Sequence, residues 1–297
     1  MSFKPALLVG VDGGGSGTRV RLARPDGSEV GYGVAGPSGL SLGPMAAWAS
    51  IHQALDQAFE MAAPLIGQRP AWNDLSAGMG LAGVSHLPSK EAFLSQSPPF
   101  GHLVLESDAF TTLLGAHGGQ PGAVLAVGTG SIGLAWWADG RRQQVGGWGF
   151  PSSDEGSGAW LGLQAVQRVQ WELDGRAQPS PLGRSVIQAL QSSAGSVRDW
   201  LAQANQTAYA ALAPVVLDHA HEPEARDLLQ QAALHLERIV LALDPHHELP
   251  IALCGGLAEA LRPWLPEPLR HRLRAPAADS AQGALWLARM ALQEGAA

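Results

Sequence analysis

The chain has 297 residues, 46% hydrophobic and 15% charged, enough to bury one large core or two moderate ones. A net charge of −7 recommends neither nucleic acid nor anionic lipid as a partner, and no stretch approaches the ~20 apolar residues of a membrane span. A single cysteine, Cys254, leaves no intrachain disulfide and no zinc or iron–sulfur site of one chain's making, so a cytoplasmic protein is expected.

Residues 6–11 (ALLVGV) read as a buried strand that runs into the turn Asp12-Gly13-Gly14-Gly15-Ser16-Gly17-Thr18. An alternating strand follows from Thr18, and residues 25–28 (PDGS) mark a hairpin. Residues 48–63 have helical apolar spacing, 75–82 and 102–106 read as strands, and 109–117 as a short helix. Residues 123–127 (AVLAV) then open a second copy of the first pattern, with the turn Gly128-Thr129-Gly130-Ser131, a strand over 132–137, and the Asp139-Gly140 hairpin. Helices are predicted over 157–172, 181–191, 196–213, 222–243 and 281–293. A strand at 251–254 meets the Gly255-Gly256 turn.

A repeated strand, glycine turn, strand and hairpin suggests two related halves with a ligand between their turns. Glycine accepts positive φ and lets successive N–H groups converge on an anion, so phosphate is the expected ligand. Only two lysines, Lys4 and Lys90, stand beside seventeen arginines. No GxxxxGK[ST] segment exists, which excludes a P-loop. Residues 128–133 fit the dinucleotide pattern GxGxxG but run into a strand and hairpin instead of opening a helix.

Three further segments carry candidate chemistry. Asp108 follows a strand and precedes a helix, which suits either a helix cap or a base at the carboxyl edge of a sheet. The glycine-rich loop 146–158 offers Trp148 and Asp154 to a polyol, with helix capping as the alternative for Asp154. Gly255 and Gly256 suit close backbone approach by a nucleotide, or form an ordinary strand-to-helix turn.

In this order these motifs, together with Ser107-Asp108-Ala109 and the glycines of 146–149, resemble the N-acetylglucosamine and glucosamine kinases of the BadF/BadG/BcrA/BcrD ATPase family. That family lies within the actin, sugar kinase and heat-shock chaperone superfamily. The resemblance implies an α/β chain of two actin-like (ribonuclease H-like) domains with a nucleotide cleft between them. Residues 1–118 would form the first and 119–280 the second, with the closing helix 281–297 packing back on the first.

It implies ATP and Mg²⁺ as cofactors and an amino sugar as partner, phosphorylated on its 6-hydroxyl; a homodimer is one assembly open to it. Asp12 would hold magnesium through water, while Gly13, Gly14, Gly15, Ser16, Gly17, Thr18, Gly128, Thr129, Gly130 and Ser131 wrap the phosphates. Gly255 and Gly256 would line the nucleotide, and Asp108 would take the proton from the sugar hydroxyl. Ser38, Thr129, Trp148 and Asp154 would touch the sugar. In the loop where the acetylglucosamine kinases carry an asparagine, residues 36–41 read GPSGLS. The dehydratase activators of the family need cluster-holding cysteines, and Cys254 lies in the wrong segment.

Overall fold

Three strands open the chain, β1 (Leu7–Gly13), β2 (Thr18–Ala23) and β3 (Glu29–Ala35), paired antiparallel through the first glycine turn and the 24–28 hairpin. In β2 the buried Thr18, Val20 and Leu22 alternate with the more exposed Arg19 and Arg21, as in a strand whose two faces meet different surroundings. Helix α1 (Pro44–Ile66) then leads to β4 (Leu75–Leu81), α2 (Leu87–Leu94) to β5 (His102–Glu106), and α3 (Asp108–Ala116) follows. The β4 strand pairs parallel with both β1 and β5, giving the order β3-β2-β1-β4-β5. Trp48, Ile51, Leu55 and Phe59 of α1, spaced three or four apart, share one core with Val9, Val11, Val20, Leu22 and Met79.

The second sheet repeats this plan. Strands β6 (Gly122–Val127), β7 (Ser131–Trp136) and β8 (Arg142–Gly146) precede a run of helices: α4 (Gly158–Leu173), α5 (Pro181–Ala194), α6 (Val197–Gln203), α7 (Gln206–Ala210), α8 (Ala213–Asp218) and α9 (Pro223–Leu243). After them come β9 (Ile251–Cys254), α10 (Ala258–Leu261), α11 (Glu267–Arg272) and β10 (Leu273–Arg274). The strand order is β8-β7-β6-β9-β10, so third, second, first, fourth and fifth strands lie side by side in both sheets. Its own core joins Leu125 and Val127 to Leu161, Val166, Leu229 and Leu236. The single helix expected over 196–213 is broken, because the Asn205 side chain accepts the Ala208 N–H and starts a new helix there.

Last comes α12 (Ser280–Glu294), which lies against β1 and β4. Leu285 packs with Leu8. A Cβ on Gly10 would lie 2.4 Å from the Ala281 carbonyl oxygen, and one on Gly78 2.2 Å from that of Ala284. Glycine is what lets the helix backbone come so close.

This computed structural model describes residues 4–294. The first three residues of the expected first domain and the last three of the expected closing helix lie outside them. Two compact units result, one comprising the chain up to Gly122 together with the stretch from Ala275, the other Ala123–Arg274. The changeover falls four residues past the expected 118/119 boundary, and the return begins at 275 where 281 was expected. The few residues before α12 already bond to the first unit: the Ala277 and Ala278 N–H groups donate to the carbonyls of Ala116 and Gly115. Among the described residues no helix is long and apolar enough to cross a membrane.

Candidate active site

In the first unit the parallel register sets Asp12 beside Gly80 and Gly80 beside Glu106, so the carboxyl ends of β1, β4 and β5 share one edge. Asp108 stands two residues beyond. The Ser107 hydroxyl accepts the Phe110 N–H and caps α3, leaving Asp108 in the first turn with its Oδ1 accepting the Ala109 N–H at 2.9 Å. Capping, the alternative for Asp108, thus falls to its neighbour. Burial pushes the Asp108 carboxyl above the usual range, the Ala109 hydrogen bond offsets part of this, and the charge of Asp12 adds to the rise.

Asp12 also lies above its ordinary range, chiefly through burial, with Arg19 and the Ser280 hydroxyl pulling the other way. Arg19, its register partner on β2, reaches Asp12 Oδ2 with Nε (3.0 Å) and Nη2 (2.7 Å). Arg21 forms a two-pronged pair with Asp279 (3.2 and 2.8 Å) and reaches Glu29 at 2.6 Å. Asp279 in turn accepts the Gln282 N–H at the start of α12. Ser280 and Thr111 hydroxyls lie 2.8 Å apart, and Thr111 donates to the Asp108 carbonyl, which ties the starts of α12 and α3 together beside the two carboxylates.

The turn over Gly13 to Gly17 closes with the Gly14 N–H donating to the Gly17 carbonyl (3.1 Å). Gly15 and Ser16 are exposed, and a Cβ on Gly14 or Gly15 would meet nothing within 4 Å. None of these glycines has a left-handed φ, contrary to the expectation that the turn needs one. Open space at the tip is the feature found instead. Thr18 and Ser38 differ from expectation as well. Thr18 is buried, donates to the Gly36 carbonyl (2.6 Å) and shares a hydrogen bond with the Ser38 hydroxyl (2.7 Å). Ser38 is fully buried, and its N–H and that of Gly39 donate to the Gly14 carbonyl. No surface of Ser38 is left for a sugar, so these two residues latch the 36–39 loop under the turn.

In the second unit Ala126 pairs with Cys254, which brings Gly128 and Gly255 to one sheet edge. The Gly128 N–H donates to the Gly130 carbonyl (2.9 Å), a tighter closure than that of Gly14 on Gly17, while the Gly158 and Ala159 N–H groups of α4 bond the carbonyls of Gly128 and Thr129. Thr129, Gly255 and Gly256 are exposed. Gly255 is left-handed (φ 98°), and a Cβ there would lie 2.3 Å from the Val127 carbonyl oxygen, so only glycine fits.

Asp154 is buried with a left-handed backbone (φ 66°). Its Oδ1 accepts the Ser131 N–H at 3.2 Å and its Oδ2 the Gln206 amide at 2.8 Å. Both oxygens are engaged within the unit, which supports a clamp on the turn where a sugar contact was expected. Burial raises its carboxyl, while Ser131 and Gln206 lower it. Gly130 is required for this clamp and not for φ: a Cβ there would sit 2.9 Å from Asp154 Oδ1. Trp148 stands 88% exposed between Gly147 and Gly149, both left-handed.

Arg19, Thr111, Asp279, Ser280 and Gln206 are additions that the motifs did not reveal. Arg19 could have been found from the turn length, which sets it opposite Asp12. Gln206 lies 52 residues from Asp154 inside a stretch that reads as mid-helix, and nothing local marks it.

Two units of one strand order, each with a glycine turn after its first strand, define an α/β protein of the actin-like fold. A ROK family glucokinase from Streptomyces griseus shares that fold, with a TM-score of 0.53 at 17% identity over 96% of this chain and 98% of that one. Residues 9–288 match the BadF/BadG/BcrA/BcrD ATPase family, and the chain belongs to it. It is 34% identical over 282 residues to the glucosamine kinase GspK of Vibrio cholerae, covering 94% of this chain and 95% of that protein. The crystal structure of a Chromobacterium violaceum protein provisionally designated an N-acetylglucosamine kinase matches with a TM-score of 0.91 and 47% identity, over 96% of this chain and 99% of that one. ATP is accordingly the nucleotide substrate.

Proposed function

We propose that this protein is a hexosamine kinase that transfers the γ-phosphoryl group of ATP to the 6-hydroxyl of N-acetylglucosamine or glucosamine. Asp108 carries the reading. It is a half-buried carboxylate at a sheet's carboxyl edge, relieved of capping by Ser107 and held above the ordinary carboxylate range by its desolvation. As the sugar oxygen bonds to the γ-phosphorus and ADP departs, Asp108 takes the hydroxyl proton.

Phosphoryl transfer otherwise demands positioning and neutralisation of spread charge. The backbone N–H groups of Gly15, Ser16, Thr129, Gly255 and Gly256, all at exposed positions, serve the phosphates and nucleotide. Trp148 offers the sugar an aromatic face, and Thr129 a hydroxyl. Thr18, Ser38, Ser131 and Asp154 act one step back, holding the two turns in shape.

Among the described residues no cluster of three or more His, Cys, Asp or Glu forms a ready cage for a metal. Magnesium needs none, because it binds through one or two carboxylates plus phosphate and water. Asp12, with Asp108 close enough to feel its charge, supplies hard oxygen of that kind. Bound there, magnesium would neutralise phosphate charge. The use of ATP also favours a cytoplasmic location.

ADP release measured with and without glucose, glucosamine and N-acetylglucosamine tests the proposal, and strong stimulation by an amino sugar is the expected result. Steady ATP hydrolysis with none of the three phosphorylated would leave an ATP-driven switch instead.

A further inference from the structure

Two arginines project from the same strand beside the first glycine turn, and they are held differently. Arg21 is fixed: it bonds Asp279 twice and Glu29 once, and it lies over the Tyr32 ring at 5.2 Å. Arg19 is half-exposed, with its side chain at 49%, and its guanidinium rests on one oxygen of Asp12. Asp12 itself is mostly covered, at 13%, and shares its surroundings with the charges of Asp108 and Asp279. A carboxylate so placed needs a counter-charge, whereas an ion pair this exposed on one side is readily exchanged.

The chain also lacks any lysine in its turns. A cationic side chain for the phosphates must therefore be an arginine.

We infer that Arg19 is a placeholder cation: it neutralises Asp12 in the nucleotide-free protein, cedes that carboxylate to the incoming divalent cation, and turns its guanidinium onto the nucleotide's phosphates. The inference rests on the reading of this edge as a magnesium–ATP site. It makes Arg19 a phosphate-binding residue that the sequence motifs do not single out. It also predicts opposite effects on two ligands, since removing Arg19 frees Asp12 for metal while depriving the phosphates of a donor.

The test uses the full chain with Arg19→Gln and Arg19→Lys. Mn²⁺ binding without nucleotide is read from the free-ion signal in electron paramagnetic resonance, and binding of magnesium with the non-hydrolysable analogue AMPPNP by calorimetry. Arg19→Gln should tighten Mn²⁺ about threefold, the size of a weak ion pair. It should weaken the magnesium–AMPPNP complex about tenfold, the size of one charge-assisted contact. Arg19→Lys, which keeps the charge but loses the fork, should fall between and serves as the readout if the glutamine variant folds poorly. Both affinities moving the same way, or neither moving, would overturn the inference and reduce Arg19 to a surface ion pair. Failure of the wild-type protein to bind magnesium–AMPPNP would instead overturn the kinase reading itself.

Discussion

The two glycine turns occupy the same position in sheets of the same strand order, yet they are built and held by different chemistry. Beneath the first, hydroxyls and carbonyls form the latch: Thr18 with Gly36 and Ser38, and Ser38 with Gly14. Around it stand charges, with Asp12 paired to Arg19, Arg21 paired to Asp279 and Asp108 near enough to feel Asp12. The second turn is held by one buried carboxylate, Asp154, that collects a backbone N–H and an amide. Its exposed part is mainly backbone. Duplication of a scaffold therefore reproduces where a ligand is met, while the residues at each copy divide the work of charge and of support.

The largest effect should come from the charged edge. Asp108→Asn should lower turnover about 10²- to 10⁴-fold, the usual worth of a general base, while calorimetry shows ATP binding retained. Near-normal turnover would make Asp108 a structural member of α3.

The same carboxylate sets a pH dependence. Its folded-state pKa lies above the ordinary 3.8, so the charged form is disfavoured in the folded protein. It costs stability once pH rises from that value through the raised one, and costs nothing below it. Urea unfolding should thus find Asp108→Asn more stable than wild type at neutral pH, with the advantage gone in strong acid. On the acid side, kcat/KM should fall at a pH higher than an ordinary carboxylate would give.

Next in size is the second turn. Gly130→Val pushes a branched side chain into Asp154, an overpacking worth about 1–3 kcal/mol, and should weaken ATP far more than sugar. Nucleotide affinity unchanged in a folded variant would remove that turn from the site. Gln206→Leu leaves Asp154 Oδ2 without its amide and should cost about 1–2 kcal/mol in urea unfolding, with a parallel loss of nucleotide affinity.

Smallest is Ser38→Ala. It breaks the latch at about 1 kcal/mol, and preference among glucose, glucosamine and N-acetylglucosamine should stay as in wild type. A reordered preference would return Ser38 to the sugar.

What could be read in advance follows the same division. Strand and turn positions were legible because apolar runs bounded by glycine and hairpin dipeptides are local signals, and β5 (His102–Glu106) falls on the residues expected. The repeat of strand order was legible as a repeat of turns. The direction in which a side chain is spent was not legible. Ser38 and Asp154 are polar residues in glycine-rich loops, the composition of a binding loop, and only the packing shows that Thr18, Ser131 and Gln206 engage them. Positive φ was expected of the glycine turns, whereas Gly130 lacks it and Asp154, which clamps that turn, adopts it. The close neighbours of Asp12 were hidden for another reason: Asp279 and Ser280 are more than 250 residues away along the chain, since Arg21 and Asp279 are separated by 258.

That separation bears on the order in which the protein is made. Residues 123–274 bring their own sheet and core, so the second unit has all its parts while α12 is still untranslated. The first unit does not: until residues 275–294 emerge, the α12 side of β1 and β4 is bare at Leu8, Gly10 and Gly78, and Arg21 lacks Asp279. Strands β1 and β4 thus gain this covering helix only after the second unit has been translated, and with it the Ser280 hydroxyl beside Asp12. The reactive edge is assembled only after the whole of the second unit has been made.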